Sequence, residues 1–248
     1  MYLIGDIGNT ETKICFINNS FKIVKRTNLK TDLISQSYLL KKLSYLTFHK
    51  SKVNIILFSS VVPHAYKIIK KWINKITNKK CKELKEIKLK NLIKIKVNKK
   101  QVGSDRLANA ISVIDKKSNY IILDFGTATT FDVVVKDEYL GGIIAPGLSI
   151  SLETLISKAS LIPKIDLSKV SNIVGKNTKS AVKSGFYWGY IGLINNVINL
   201  IKKQTRKPYK LIITGGFSHL FKNSLNCKTV INKDLTINGL FKVAKKLT

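Results

Sequence analysis

Apolar residues fall in short runs separated by polar turns, and their spacing alternates between the period of a strand and that of a helix. Residues 2–7, 12–18 and 21–27 read as three short strands, with Asn18-Asn19 as a hairpin turn. The pattern then predicts a helix from about Asp32 to Leu46, capped by Thr31 or Asp32. Val53 to Phe58 reads as a buried strand, and Pro63 suits the first position of a helix running to about Ile76. Ile87 to Val97 alternates lysine with Ile or Leu, the pattern of a strand with one wet face. Gly103 to Ile114 reads as a helix with its polar residues at the front. Three further strands follow at 119–124, 129–135 and 138–144. Helices are predicted for Leu148 to Ser157, Thr178 to Lys203 and Leu235 to Leu247, with short strands at Leu211 to Ile213 and Thr229 to Ile231.

Two segments of this series share one template, 118 positions apart. Asp6-Ile7-Gly8-Asn9-Thr10-Glu11-Thr12-Lys13 and Asp124-Phe125-Gly126-Thr127-Ala128-Thr129-Thr130 each follow an apolar run and precede an alternating or branched one. Each reads as strand, tight turn, strand. The repeat predicts two lobes of common ancestry, residues 1–117 and 118–248. A carboxylate at a strand end, a glycine in the turn and hydroxyl or amide donors after it suit a phosphate and its metal. Glycine lets the backbone approach an oxyanion, and successive turn N–H groups form an anion-binding concavity. Two such turns are expected to hold one nucleotide.

Composition changes this picture only at the margins. The net charge is +30, which ordinarily points to nucleic acid or an anionic membrane. The lysines are scattered through every segment, however, and arginine occurs only at Arg26, Arg106 and Arg206. A reader of phosphate backbones clusters its charge and uses arginine for geometry. The lysine excess therefore reads as compositional drift, and neither a specific nucleic-acid partner nor a membrane is expected. Cys15, Cys81 and Cys227 are odd in number and far apart, without a C-x-x-C, as in the reduced thiols of a cytosolic protein. Asp6 interrupts the N-terminal apolar run, so no cleavable signal is read, and the expected location is cytoplasmic.

The known nucleotide motifs are missing. There is no complete G-x-x-x-x-G-K-[ST] loop, and Gly175-Lys176-Asn177-Thr178 matches only its tail. There is no G-x-G-x-x-G, and Asp124-Phe125-Gly126 lacks the H-R-D loop of a protein kinase. Gly103-Ser104-Asp105-Arg106 opens a helix, where unpaired N–H groups favour anions. Read blandly, Asp105 caps the helix beside a surface arginine. Read functionally, Arg106 clamps a carboxylate or phosphate through a bidentate fork, and Asp105 accepts a hydroxyl proton during phosphoryl transfer. Gly141-Gly142, Ala145-Pro146-Gly147 and Thr214-Gly215-Gly216 are either plain turns or bare backbone lining a nucleotide cleft. His49, His64 and His219 have no metal-ligand spacing.

Taken in order, these motifs resemble those of type III pantothenate kinase. The set is Asp6-x-Gly-Asn-Thr, Ser60-Val61-Val62-Pro63, Gly103 to Arg106, Asp124 to Thr130, Gly141 to Gly147, Asn177-Thr178, Ser184-Gly185 and Thr214 to Gly216. The resemblance covers essentially the whole chain. It implies an α/β, two-lobed, ribonuclease H-like duplicated fold of the actin and sugar kinase ATPase type, with mixed sheets flanked by helices. It also implies ATP-dependent phosphorylation of pantothenate, the first step of coenzyme A synthesis. By match, Asp6, Ile7, Gly8, Asn9, Thr10, Glu11, Thr12 and Lys13 form an ATP phosphate loop with Asp6 near Mg²⁺, and Thr127 contacts ATP phosphate. Asp105 is the implied general base, Gly103, Ser104, Asp105 and Arg106 hold pantothenate, and Asp124 ligates K⁺ or NH₄⁺. Thr178 is implied to contact pantothenate across a homodimer interface. One segment departs from the family, which has a Tyr and then Asn-Pro before the helix tip. Lys96-Val97-Asn98-Lys99-Lys100 keeps only the asparagine, which implies looser packing of pantothenate. Two other readings remain from the residues: a kinase-like regulatory or nucleic-acid-binding protein, and an ATPase switch acting on protein partners.

Overall fold

The computed structural model describes residues 1–247. In chain order the elements are β1 (Tyr2–Ile7), β2 (Glu11–Ile17), β3 (Ile23–Lys30), α1 (Gln36–Lys42), α2 (Tyr45–His49), β4 (Ile55–Ser60) and α3 (Pro63–Thr77). They continue through β5 (Cys81–Glu83), β6 (Lys94–Ile95), α4 (Ser104–Val113), β7 (Asn119–Phe125), β8 (Ala128–Val135), β9 (Glu138–Pro146) and α5 (Leu148–Lys158). The last are α6 (Thr178–Thr205), β10 (Lys210–Gly215), α7 (Ser218–Phe221), β11 (Thr229–Ile231) and α8 (Leu235–Lys245). The chain forms two compact units: residues 1–114 with 137–139 and 234–248, and residues 115–136 with 140–233.

The first unit is built on a five-stranded sheet in the order β3-β2-β1-β4-β5. The hairpin strands β1, β2 and β3 are antiparallel, whereas β4 runs parallel to β1 and β5 parallel to β4. Central β1 buries Tyr2, Leu3, Ile4 and Ile7, the continuous apolar run of a strand covered on both faces. Edge strand β3 carries Lys25, Arg26 and Lys30 outward, charges that discourage edge-to-edge pairing. Helix α3 starts on Pro63, buries Ala65, Ile69, Trp72 and Ile73 at helical spacing, and closes on left-handed Asn78 (φ 53°).

In the second unit the strands run β11-β10-β7-β8-β9, so both sheets share one plan. The first strand of each is central, its hairpin partner lies on one side and a parallel fourth strand on the other. Helix α6 lays Ser184, Tyr187, Ile191, Ile194, Ile198 and Ile201 into that unit's core, spaced alternately by three and four. Asn195, Asn196 and Asn199 fall between these buried positions. Among the described residues no helix is long and apolar enough to cross a membrane.

Three expectations are corrected. The helix expected from Asp32 to Leu46 is a 3-10 turn at Thr31–Leu33 followed by α1 and α2. Ser35, not Thr31 or Asp32, caps α1 by accepting the Tyr38 N–H at 3.2 Å. Thr31 is unavailable because its buried hydroxyl is turned inward to Gly8 and Thr12. The alternating Ile87 to Val97 is not a strand but a loop. Its N–H groups close local turns onto Leu84 and Leu89, Leu89 and Ile93 plug inward, and only Lys94–Ile95 pairs, with Glu138-Tyr139. Lysine frequency, rather than a pleated face, produced that alternation.

The C-terminal helix α8 belongs to the first unit, lying on α4 where Gly239 meets the Ala108 backbone and no Cβ fits. Asp234, just before it, accepts from Arg26 at 2.6 Å. Gly239→Ala is expected to lower stability by about 1–3 kcal/mol through overpacking, read from a urea melt as a lower midpoint at unchanged slope. An unchanged midpoint would mean that the two helices separate freely at this point.

Candidate functional site

The geometry of the first unit starts from the parallel pairing of β1 with β4, which sets Asp6 directly beside Ser59. The Ser59 hydroxyl donates to Asp6 Oδ1 at 2.6 Å. One residue further, the Ser60 N–H donates to Ser104 Oγ at 2.8 Å, and the Ser104 hydroxyl donates back to the Ser60 carbonyl at 2.9 Å. Ser104 is fully buried and bolts the tip of α4 to the end of β4. Asp105 follows it, and its carboxylate folds back over the capping residue Gly103, where a Cβ would strike it. Asp105 Oδ1 also accepts the Arg106 N–H at 2.8 Å. A side chain at 103 would displace the Asp105 carboxylate from this position.

Two carboxylates therefore sit within electrostatic reach of one another. Burial pushes Asp6 up to about 6, opposed by the Ser59 hydrogen bond, with the like charge of Asp105 adding to the rise. Burial also raises Asp105, opposed by the Arg106 N–H and guanidinium and more weakly by Lys85. A carboxylate whose pKa is raised is a stronger proton acceptor once ionised, which suits a general base. Arg106 is half-buried beside it on α4.

The turn between β1 and β2 closes when Gly8 N–H donates to the Glu11 carbonyl at 3.0 Å. Thr31 holds it from behind: its hydroxyl donates to the Gly8 carbonyl at 2.8 Å and meets the Thr12 hydroxyl at 2.9 Å, while its N–H donates to the Thr10 carbonyl. Ile7 and Thr12 point into the interior, so at those positions only backbone faces outward. Asn9, Thr10 and Glu11 are exposed, and Lys13 pairs with Glu11 at 3.6 Å.

The second unit repeats the hairpin. Gly126 N–H donates to the Ala128 carbonyl at 3.1 Å, and the register sets Asp124 opposite Thr130, their side chains on one face. Around this turn the backbone is bare. Gly147, the cap of α5, lies so close to the Thr127 carbonyl that no side chain fits. Gly215, at φ +86°, rests on Phe125, and Gly216 N–H donates to the Phe125 carbonyl. Thr214-Gly215-Gly216, Gly147 and Gly126-Thr127 thus come together. Thr178 occupies the exposed first position of α6, whose N-terminus is closed by a reciprocal pair between Asn177 and Ser180. Gly141 has a positive φ of 121° inside β9.

Neither Ser59 nor the reciprocal bond of Ser104 is anticipated by the local sequence, and Thr31 is read there only as a helix cap. A pair of serines ending the buried β4 is the available signal for the first, since polar residues at the end of an apolar strand need a partner. Nothing local marks the tie from Thr31 to Gly8.

The family model described as type III pantothenate kinase matches residues 2–200. The type III pantothenate kinase of Pelagibacter ubique (strain HTCC1062) is 57% identical over 242 residues, covering 98% of each chain. That of Sulfurihydrogenibium sp. (strain YO3AOP1) is 39% identical, covering 97% of this chain and 98% of the relative. Among solved structures, a Campylobacter jejuni protein described as a Baf family transcriptional activator superposes with a TM-score of 0.64 at 20% identity, covering 99% and 98% of the two chains. The ADPNP-bound activator of 2-hydroxyisocaproyl-CoA dehydratase from Clostridium difficile gives 0.55 at 13% identity, covering 99% and 96%. These structures share the fold, which is that of the sugar kinases and actin-like ATPases.

The raised carboxyl of Asp6 has a consequence for stability. An unfolded Asp titrates near 3.9, whereas the native one holds its proton up to about 6. Between those values the native state binds more protons, so this group's contribution to stability falls as pH rises. Asp6→Asn is expected to raise the melting temperature of the ligand-free protein by about 2–6 °C at pH 7.5, and by little near pH 4. A melting temperature lowered at pH 7.5 would show the carboxylate to be comfortably ionised.

Proposed function

The chain belongs to the type III pantothenate kinase family, whose members phosphorylate pantothenate at the first step of coenzyme A biosynthesis, and from that premise we infer how its residues divide the work. The protein is an ATP-using kinase with an alcohol acceptor. Asp105 is the general base. Its carboxylate takes the proton of the pantothenate hydroxyl as that oxygen attacks the γ-phosphorus of ATP; the new P–O bond forms and the bond to ADP breaks. Arg106 pairs with the pantothenate carboxylate through its planar fork, and Gly103 and Ser104 hold the helix tip that receives the substrate. The observation that carries this reading is the register that brings Asp6, Ser59, Ser60 and Ser104 together and so places Asp105 near Asp6.

Residues 6–13 and Thr127 bind ATP phosphates, chiefly through backbone N–H groups and exposed polar side chains. Asp6 would be the residue that holds Mg²⁺. Such an ion keeps several waters and takes one or two carboxylates plus substrate phosphates, so a single strand-end carboxylate fits it. When bound, the ion neutralises phosphate charge. Asp124, with Thr130 on the same face, offers hard oxygen donors of the kind K⁺ or NH₄⁺ prefers. The location is the cytoplasm, consistent with three free cysteines.

The protein acts as a homodimer in which Thr178 reaches pantothenate bound to the partner subunit. Support comes from the exposed apolar side chains of the second unit. Ile144, Leu161, Ile173 and Val174 are 64%, 90%, 70% and 77% exposed, and Gly185, Gly189 and Gly192 leave an open strip along α6. Exposed apolar side chains of this size would be covered by a partner subunit in such a dimer.

Three outcomes are expected. Asp105→Asn lowers kcat by about 10²–10⁴-fold without lowering the melting temperature, with kcat measured as ADP release with pantothenate, Mg²⁺ and K⁺. Omitting K⁺ in the same assay lowers turnover strongly; wild-type protein inactive with pantothenate would sink the assignment. Ile144→Glu together with Val174→Glu shifts the species seen by light scattering from dimer to monomer. A wild-type monomer at micromolar concentration would remove the cross-subunit role of Thr178.

A further inference from the structure

Two 3-10 turns of the first unit, Leu84–Glu86 and Lys99–Gln101, are tied together by their own lysines. Lys99 Nζ donates to the Lys85 carbonyl at 3.0 Å and to the Ile87 carbonyl at 3.2 Å. In return Lys85 Nζ donates to the Lys100 carbonyl at 3.3 Å. Both lysines are half-buried, unlike the exposed Lys88, Lys90 and Lys94 of the same loop. Each turn is also closed internally. Glu83 accepts the Lys85 N–H at 2.6 Å, Asn98 Oδ1 accepts the Lys100 N–H at 3.0 Å, and the Gln101 N–H donates to the Asn98 carbonyl at 3.0 Å. The second turn runs through buried Val102 directly into Gly103, Ser104, Asp105 and Arg106. The helix tip is held on its other side by Ser104 and Ser60. The lysine tie is thus the anchor on its entry side.

We propose that Lys99, reinforced by Lys85, is a positioning residue for pantothenate: it fixes the backbone that leads into the substrate-binding helix tip. This rests on the pantothenate kinase reading. Lys99 is the first residue of its turn, and Asn98 before it is extended (φ −64°, ψ 106°). That is a position where proline fits without strain, because its fixed φ is preorganised there and the preceding residue already avoids the helical region. Two chemically different solutions therefore serve one purpose at residue 99. A lysine pins the turn through two carbonyls, and a proline would stiffen it covalently.

The test is steady-state kinetics on the full-length protein with ATP and pantothenate varied separately. Lys99→Ala is expected to raise the pantothenate KM about 5–20-fold, with kcat and the ATP KM within twofold. Lys99→Pro is expected to restore the pantothenate KM to within about threefold of wild type, although it also lacks the ammonium. Should Lys99→Ala fail to fold, Lys99→Met keeps the aliphatic stem and carries the same expectations. A pantothenate KM unmoved in the Ala or Met variant overturns the proposal. So does a parallel loss in kcat and both KM values, or a Pro variant no better than Ala. Wild-type protein without pantothenate turnover would instead sink the functional reading beneath it, and the proposal with it.

Discussion

The parallel ladder between β1 and β4 is the constraint on which the site depends. It decides which polar residues meet where two buried strands run out together. Asp6 meets Ser59, and Ser60 then receives Ser104 from a helix 44 residues further along. A slip of one residue would part Asp6 from Ser59 and turn it to the other face of the sheet. Since β1 and β4 are apolar on both sides, such a slip is opposed by the whole interior of the unit. The arrangement of Asp6, Ser59, Ser60 and Ser104 takes its rigidity from the core beneath it.

The same strand plan in the second unit serves a different purpose. Its hairpin turn also closes on a glycine N–H and also ends a central strand with an aspartate. Around it, however, glycines take the place of the serine bolts. Gly147 and Gly215 bring bare backbone against the turn at Thr127 and Phe125. The duplicated template therefore diverged by what surrounds it. In one copy the aspartate is buried and accepts a serine hydroxyl, and in the other glycines bring backbone close around the turn.

Lysine abundance has been absorbed into the structure at particular places. Lys99 and Lys85 satisfy backbone carbonyls, Lys79 donates to the Val53 carbonyl, and Lys242 reaches the carbonyls that end α4. These contacts use the long stem and the three donors of an ammonium, which can close a loop wherever a carbonyl is left over. Most of the remaining lysines lie on exposed surface, and exposed ion pairs such as Lys70 with Glu86 contribute little to stability.

Local pattern was enough to reveal the two hairpins, the helix opening at Gly103 and the long amphipathic α6. Each depends on residues near one another in the chain: a glycine in a turn, a cap, an apolar stripe at helical spacing. The sequence motifs around Asp6, Asp105 and Asp124 were legible for the same reason. What could not be read were partnerships across long separations. Thr31 looked like a helix cap until the fold turned its hydroxyl onto a turn more than 20 residues earlier. The lysine and isoleucine alternation of 87–97 looked like a strand, but no neighbour was available to pair most of it. The final helix joined the first unit because Gly239 allows it to close on Ala108. Short-range sterics and periodicity are written in the order of residues, whereas the choice of partner is made by competition among all surfaces as the chain collapses. That competition decided the burial of Asp6 and Asp105, and with it the chemistry they can perform.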